Sequence, residues 1–523
     1  MAKTYTKLNK LDIVSTSGNK QYRKLTTAIE EPSVDTTTCI TFSSAEPFTL
    51  QTYDAASHWN GTLEYCNDGR TWVEWGGELI TASTGTLHLR GIGNDTITSE
   101  GGSYIENRFV LEGTYIDCTG NIETLLDYAT VKAGEHPVMR TGCFRYLFMD
   151  CTSLISSPEL KATTLNTYCY NSMFENSGLV YPPALPATTL TTNCYMAMFR
   201  GCTNLRTAPT LNATKLSNYC YAQMFAECIN LTTTPQLPAT TMASYCYYSM
   251  FYGCAKLTTV SNFPKATLAS YCYSAMFQYC TSLVTFRHTL EASGVPTGAY
   301  KYMFANCTSL TTTPSMLASS VNTSGCEEMF RDCTALTKSA TLPATTLGTS
   351  CYARMFKNCK ALTTPPKLPA TTLKESCYNQ MFQNCTSLST APSLSATTLA
   401  ISCYEGMFYG CTKLVNPPEL SATSLSARCY YGMFQGCTRL SKLNSLPAVK
   451  LPSLCYANMY KNCGSIQMYT VYVDGRLVYV IPSRENSSLV DDGAMKDMFV
   501  GTGGTFAGTP VADTVYYTPN QIV

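Results

Sequence analysis

Residues 351–373 read CYARMFKNCKALTTPPKLPATTL and residues 377–399 read CYNQMFQNCTSLSTAPSLSATTL, so one motif returns after 26 positions. Its anchor is a Met-Phe pair, present from Met173-Phe174 through Met355-Phe356 to Met433-Phe434. Leu147-Phe148 precedes the series and Met459-Tyr460 follows it. Phe148 to Tyr460 spans 312 residues in twelve intervals, a mean of 26, which makes thirteen copies. A fixed period of this length marks a repeat architecture, because one such unit buries its apolar side only against its neighbours.

The unit has two halves. In C-Y-x-x-M-F-x-x-C, at ~100° per residue, the apolar side chains fall within an arc of roughly 140°, which predicts a short helix with one buried face. The residue before the second Cys is usually Gly or Asn (Gly201, Gly253, Asn306, Asn358, Asn384, Gly410, Gly436, Asn462). Both tolerate the left-handed region and are read as helix C-caps. The P-x-L-P-A-T-T-L half has prolines that exclude a helix and threonines that suit extended segments and turns. The expected architecture is therefore an α/β repeat solenoid, about 26 residues per coil, with an N-terminal all-β domain and a C-terminal β cap.

Working outward, residues 1–36 are polar, lack periodicity and are read as an attachment arm. Residues 37–120 carry strand-like text (CITF, FTLQTY, TLEYC, TLHLRGI) broken by Asn60-Gly61 and Asp68-Gly69, which predicts a β-sandwich-like domain with hairpins. NIETLLDYATVKAG, from Asn121, predicts a helix capping the open end of the repeats, so residues 121–466 form one unit. Residues 467–523 are read as the C-terminal cap, with a hairpin turning at Asp474-Gly475 and a last Met498-Phe499 opening a glycine-rich tail.

The M-F-x-x-C-T-x-L core, followed by the Leu- and Pro-bearing half, resembles the leucine-rich repeats of the bacterial BspA-type family, whose unit has an aromatic-x-x-C-x-x-L core. The resemblance covers about Cys143 to Ile466, roughly three-fifths of the chain. It departs from the common pattern in using Met-Phe for Ala-Phe and in its recurring P-A-T-T-L. The resemblance implies a leucine-rich-repeat fold and a role in surface adhesion and partner recognition rather than catalysis.

Composition agrees on what is excluded. Lys+Arg 36 against Asp+Glu 35 leaves net +1, with no basic surplus for nucleic acid. No apolar run reaches the ~18–20 residues that cross a membrane. The N-terminus lacks the apolar core of a secretory signal, so folding in a reducing compartment is expected and most of the 27 cysteines should be free thiols. The two cysteines of a repeat are eight apart, ~12 Å on a helix, beyond the ~7 Å bridging limit. No C-x2–4-C pair suggests zinc. His58, His88, His136 and His288 lie far apart and are read as polar face residues. The acidic pairs Glu327-Glu328 and Asp491-Asp492 are read as solvated charges.

One repeat is irregular. Between Phe277 and Phe304 it is 27 residues long, FRHTLEASGVPTG replaces the usual extended half, and Ala299 replaces the first Cys. Arg287 and His288 are its candidate binding residues, set against simple drift with a loop bulge.

An exposed recognition surface without a secretion signal points first to a virion surface component, a phage tail fibre or receptor-binding protein. It would contact host-surface glycan or protein, attach to other virion proteins through its N-terminal region, and be compatible with a homo-oligomer. The alternative is a bacterial cell-surface adhesin. A glycan-cleaving tailspike comes third, since no carboxylate pair is placed for acid-base work. No catalytic residue, metal ligand, cofactor or membrane-inserted segment is expected.

Overall fold

Each Met-Phe unit contributes one ring to a single file through the protein. In the computed structural model, which describes residues 13–16, 19–22, 34–56, 59–98, 108–482 and 490–523, the rings from Phe148 through Phe434, Tyr460 and Phe499 stack in order. Neighbouring centroids are 5.4–5.9 Å apart and planes lie within 14°. That is the stacked separation favoured by aromatic quadrupoles. A second file runs beside it, Phe144 and Tyr170 to Tyr300, then Tyr352 to Tyr456. It breaks where Cys326 stands in the tyrosine column: Cys326 N–H bonds the Cys351 carbonyl as Tyr352 N–H bonds that of Cys377.

The C-Y-x-x-M-F-x-x-C halves are not helices. Around Phe356, the N–H groups of Ala353, Met355, Lys357 and Cys359 donate three residues back, to Ser350, Tyr352, Arg354 and Phe356. The alternate donors, Tyr352, Arg354, Phe356 and Asn358, bond carbonyls of the next repeat at 2.7–3.0 Å: Cys377, Asn379, Met381 and Gln383. Every fourth residue takes positive φ: Ser350 53°, Arg354 54°, Asn358 63°. These are linked turns with a four-residue period, burying Cys351-Tyr352, then Met355-Phe356, then Cys359. The helix expectation fails because a helix would consume every N–H internally, whereas here half of them tie one repeat to the next. The expected left-handed Gly and Asn residues are present, but they corner turns rather than cap helices.

The extended halves join more sparsely. Gly294–Val295, Ser320–Val321 and Thr346–Leu347 form a parallel three-stranded sheet. Elsewhere single parallel bridges suffice, such as Thr312 to Lys338 to Thr364. Threonine hydroxyls add rungs, Thr337 and Thr363 donating to the carbonyls of Thr311 and Thr337 at 3.2 Å.

All described cysteines are buried and unbridged. The second cysteine of each repeat has a defined task. Cys385 Sγ donates to the Phe356 carbonyl (3.1 Å), which also accepts the Cys359 N–H (3.1 Å). One carbonyl thus receives a donor from its own repeat and one from the next, filling both lone pairs. Burial pushes these thiols up, to about 12 at Cys202, Cys307 and Cys411, so they stay protonated donors and unreactive.

N-terminally, β1 (Ile13–Thr16) pairs with β2 (Asn19–Tyr22) within the stretch read as an arm; the rest of that stretch before residue 34, and His58, lie outside the described residues. The strands β3 (Ile40–Ser43), β4 (Phe48–Thr52), β5 (Thr62–Cys66), β6 (Val73–Trp75), β7 (Ile80–Ala82), β8 (Thr86–Ile92), β9 (Phe109–Glu112) and β10 (Asp117–Thr119) form two sheets. Their orders are β10-β3-β8-β5-β6 and β7-β4-β9, with alternate residues turned inward. Asp68-Gly69 does turn a hairpin, β5 to β6, and the Asp68 carboxylate accepts N–H bonds from Arg70 and Thr71. Asn60-Gly61 instead links strands of different sheets.

The sandwich core is continuous with the stack. Phe148 packs edge-on against Phe42 and Phe109 and face-on against Phe174. Residues 116–122 lie on the first repeat through Ile116–Leu154 and Asn121–Glu159 bridges and cover its open end. The expected helix exists as α1 (Thr124–Lys132), but it packs on β8: a Cβ at Gly91 would sit 1.7 Å from the Leu125 carbonyl oxygen. The strand-like segment before the helix, rather than the helix, caps the repeats.

At the other end the stack continues past Ile466. Tyr460 N–H bonds Met498 O, Asn462 N–H bonds Val500 O, and Phe499 stacks 5.6 Å from Tyr460. Met498-Phe499 is therefore one more rung, separated from its predecessor by an insertion. Residues 477–479 pair with 516–518, so Asp474-Gly475 does not fold its flanks into a hairpin. Tyr460 is accepted in the phenylalanine column because its hydroxyl donates to Oδ1 of buried Asn444 (2.9 Å) and accepts from the Asn444 backbone N–H (3.0 Å).

Candidate recognition surface

The linked turns send two residues of every four outward, so the turn side carries columns of side chains repeated at the spacing of the stack. In the first half of the repeats these columns are aromatic. Tyr219, Tyr245 and Tyr271 stack at 4.6 and 4.7 Å, closer than the buried files. Tyr248 meets Tyr245 edge-on (5.9 Å), and Tyr252 meets exposed Tyr279 (5.3 Å). Tyr271 ends its column over Gly298, where a Cβ would lie 2.2 Å from the ring; only glycine, at φ 60°, fits there.

Beside this patch lies a groove of about 550 Å³ whose lining includes Arg145, Met149, Tyr168, Met196, Arg200 and Tyr219. The Arg145 guanidinium lies 4.7 and 4.8 Å from the rings of Tyr146 and Tyr168 and bonds Asn171 Oδ1 (2.9 Å), so it is held in place. Tyr, Arg and Met are the residues that enrich interface cores, and this surface concentrates all three.

Further along, the same face changes character. Glu327 and Glu328 are buried, not solvated as expected. Arg354 of the next repeat bonds both carboxylates, Lys301 reaches Glu327 (2.9 Å) and Arg331 reaches Glu328 (2.7 Å). Burial pushes Glu328 up, but the hydrogen bonds and charges of Arg331 and Arg354 outweigh it and hold the carboxyl below its ordinary value. Asp491 and Asp492 are exposed, as expected.

The irregular repeat does not bring Arg287 and His288 into a common site. Arg287 is exposed, while His288 Nε2 lies 3.0 Å from the Val260 carbonyl and its ring meets Phe286 edge-on. Phe286 and Phe263 fill the core there, Phe263 lying 4.5 Å from Tyr273. A cleft of about 540 Å³ opens next to them, with Lys265 and Glu291 paired at 2.8 Å on its wall, but neither candidate residue lines it. His88 bonds Thr41 Oγ1 (2.9 Å) on the sandwich, and burial pushes its pKa down. His136 meets Glu123 (2.8 Å), a contact made across α1 that spacing alone does not reveal.

Among the described residues, no three His, Cys, Asp or Glu side chains converge as metal ligands, and no helix is long and apolar enough to cross a membrane. Residues 221–337, 297–441 and 349–473 match the family described as BspA type Leucine rich repeat region, six copies in all. One solved structure, a leucine rich cell surface protein from Faecalibacterium prausnitzii, is 16% identical over 58% of this chain and 82% of that one, with a TM-score of 0.29. No curated protein matches. Neither match is described as a virion protein, so the comparisons lend the phage assignment no support. Residues 221–473 of this chain are BspA-type leucine-rich repeats.

Proposed function

We propose that this chain is a non-catalytic recognition protein of the bacterial cell surface, an adhesin, whose repeats form a solenoid of about 26 residues per coil and whose turn face binds a protein partner. The observation that carries the reading is the tyrosine patch centred on Tyr219, Tyr245 and Tyr271. Tyrosine offers a large, rigid, amphipathic contact at low entropic cost. Rings only 4.6–4.7 Å apart cover one another's faces and present edges and hydroxyls. A sugar that stacks on an aromatic face finds little of it open here, whereas a protein surface can pack on edges and bond the hydroxyls.

The test uses the labelled full chain on cultured epithelial cells, with protease-treated and periodate-treated cells in parallel. Binding should vanish after protease and survive periodate. The Tyr245→Ser/Tyr271→Ser double variant should bind at least roughly 30-fold more weakly, as loss of a hot spot worth about 2 kcal/mol would give. Loss of binding after periodate alone, or an unaffected double variant, refutes the reading. Immunogold labelling of producing bacteria should decorate the envelope; label on lysis-released particles would restore the virion assignment.

A further inference from the structure

The contact between Glu123 and His136 lies away from the turn face, and the adhesin reading makes no use of it. Glu123, at the start of α1, is 1% exposed. Its Oε2 accepts a bond from His136 Nδ1 (2.8 Å) and a longer one from Asn121 Nδ2 (3.4 Å). Its Oε1 is buried with no partner. A buried acceptor left unpaired is destabilising, more so for a carboxylate. Burial pushes the Cys143 thiol and the Tyr170 hydroxyl well up, and the negative charge of Glu123 adds to both effects. The carboxylate therefore sits in a poorly solvated place.

Glu123 and His136 also line a cleft of about 430 Å³ between the loop after α1 and the extended half of the first repeat. Pro137 and Met139 give it an apolar wall, and exposed Thr163 and Asn166 form a neutral hydrogen-bonding rim. The His136 side chain, 57% exposed, roofs the carboxylate and bonds its Oε2, so a ligand reaches the carboxylate by displacing the imidazole. Its size lies within the range of small-ligand pockets, and its lining of apolar surface with a few convergent polar groups is typical of them.

From this geometry we infer that the cleft is a saccharide-binding site in which a sugar hydroxyl donates to the Glu123 carboxylate. A neutral polyol matches the lining on each count. Its hydroxyls supply the donor that Oε1 lacks and bond Thr163 and Asn166, while its C–H face covers Pro137 and Met139. A primary ammonium would satisfy the carboxylate but, being a donor only, offers no acceptor to the Thr163 O–H or the Asn166 N–H.

Saturation-transfer NMR on the full chain tests the site, with the methyl glycosides of glucose, galactose, mannose and N-acetylglucosamine as probes and Nα-acetyl-lysine as the ammonium control. At least one glycoside should receive saturation and the lysine derivative should not. Glu123→Gln should weaken that glycoside roughly tenfold to a hundredfold, the range for losing a hydrogen bond to a charged group. Thr163→Ala, at an exposed rim position, should weaken it without shifting the unfolding midpoint and decides the matter if Glu123→Gln fails to fold; Asn166→Ala should weaken it too, with a lower midpoint because Asn166 also bonds the Thr167 N–H and the Met139 carbonyl. Tyr245→Ser should leave it unchanged, which separates this site from the turn face. No transfer to any glycoside, transfer that survives the rim variants, or preferential binding of the lysine derivative would each overturn the assignment.

Discussion

Phe356→Ala removes one ring from the middle of the aromatic file, and its consequence follows from the two neighbours it leaves facing each other. Phe356 is fully buried and stacks at 5.7 Å on both Phe330 and Phe382. A phenylalanine buries about 150–250 Å², and most of that belongs to the ring. At ~25 cal/mol per Å², roughly 120 Å² of ring surface, taken from the lower end of that range, corresponds to about 3 kcal/mol of lost transfer energy. The rungs on either side are pinned by backbone bonds at 2.9 Å to their neighbours, so the gap cannot close fully and a cavity contribution brings the total to about 3–5 kcal/mol. Units in a repeat array interact mainly with their neighbours, so the loss should stay local and a global unfolding curve would blur it. The buried thiols report it directly. Cys385 bonds the Phe356 carbonyl and Cys359 lies in the same turn, so both should be labelled faster. If labelling tracks the opening equilibrium, the acceleration is roughly a hundredfold to several thousandfold. Mass-spectrometric mapping should show it at Cys359 and Cys385 but not at distant Cys202. Unchanged rates at Cys385, or equal acceleration along the whole chain, would refute the local ladder.

Three more expectations come from the same stack. Gly436→Ala meets nothing closer than 3.7 Å and should cost only the left-handed strain of about 1–2 kcal/mol, whereas Gly410→Ala places Cβ 2.3 Å from Asn384 Oδ1 and should cost more; equal midpoint shifts on denaturation would contradict this. The Glu328 carboxyl is held below its ordinary 4.5, so its contribution should be complete above pH 4.5 and vanish as pH falls through the lower folded-state value. The stability difference between wild type and Glu328→Gln should therefore be flat above 4.5 and shrink below it, and a difference independent of pH would argue against the paired carboxylate. Thiol titration of the denatured, unreduced protein should recover nearly all 27 cysteines, and recovery of only a few would mean that bridges form between repeats.

The register of the repeats was legible from the Met-Phe spacing alone, and with it the burial of Phe356. The turn conformation was not, because apolar residues at positions 0, 1, 4, 5 and 8 satisfy both a helical arc and a chain of four-residue turns. The discriminating signal was nevertheless there: Gly406 and Gly410, Gly432 and Gly436, Asn458 and Asn462 put left-handed-tolerant residues four apart, twice per repeat. A helix needs at most one such residue, at its end. The last rung at Phe499 was hidden by the insertion that separates it from Tyr460. The burial of Glu327 and Glu328 was hidden too, since Gly325 stands where other repeats carry the first cysteine and Cys326, 26 residues before Tyr352, stands where they carry tyrosine. The register is unchanged, and Arg354, which the repeat pattern does not mark, arrives from the next unit to pair both carboxylates. The Glu123–His136 contact depends on how a loop returns after α1, which periodicity does not encode.

Half of the turn-side N–H groups point from one repeat to the next, and this gives the protein a mechanical character. Tension applied between its ends loads these bonds in series, one interface at a time, rather than shearing many at once. An end rung therefore peels before its neighbour bears the full load. Each detached repeat of 26 residues pays out roughly 80–90 Å of chain, at ~3.3–3.6 Å per extended residue less the thickness of the rung. A molecule tethered between a cell and its target would lengthen in even steps under drag, dissipating work at each step while the rest of the stack and its contact surface stay folded.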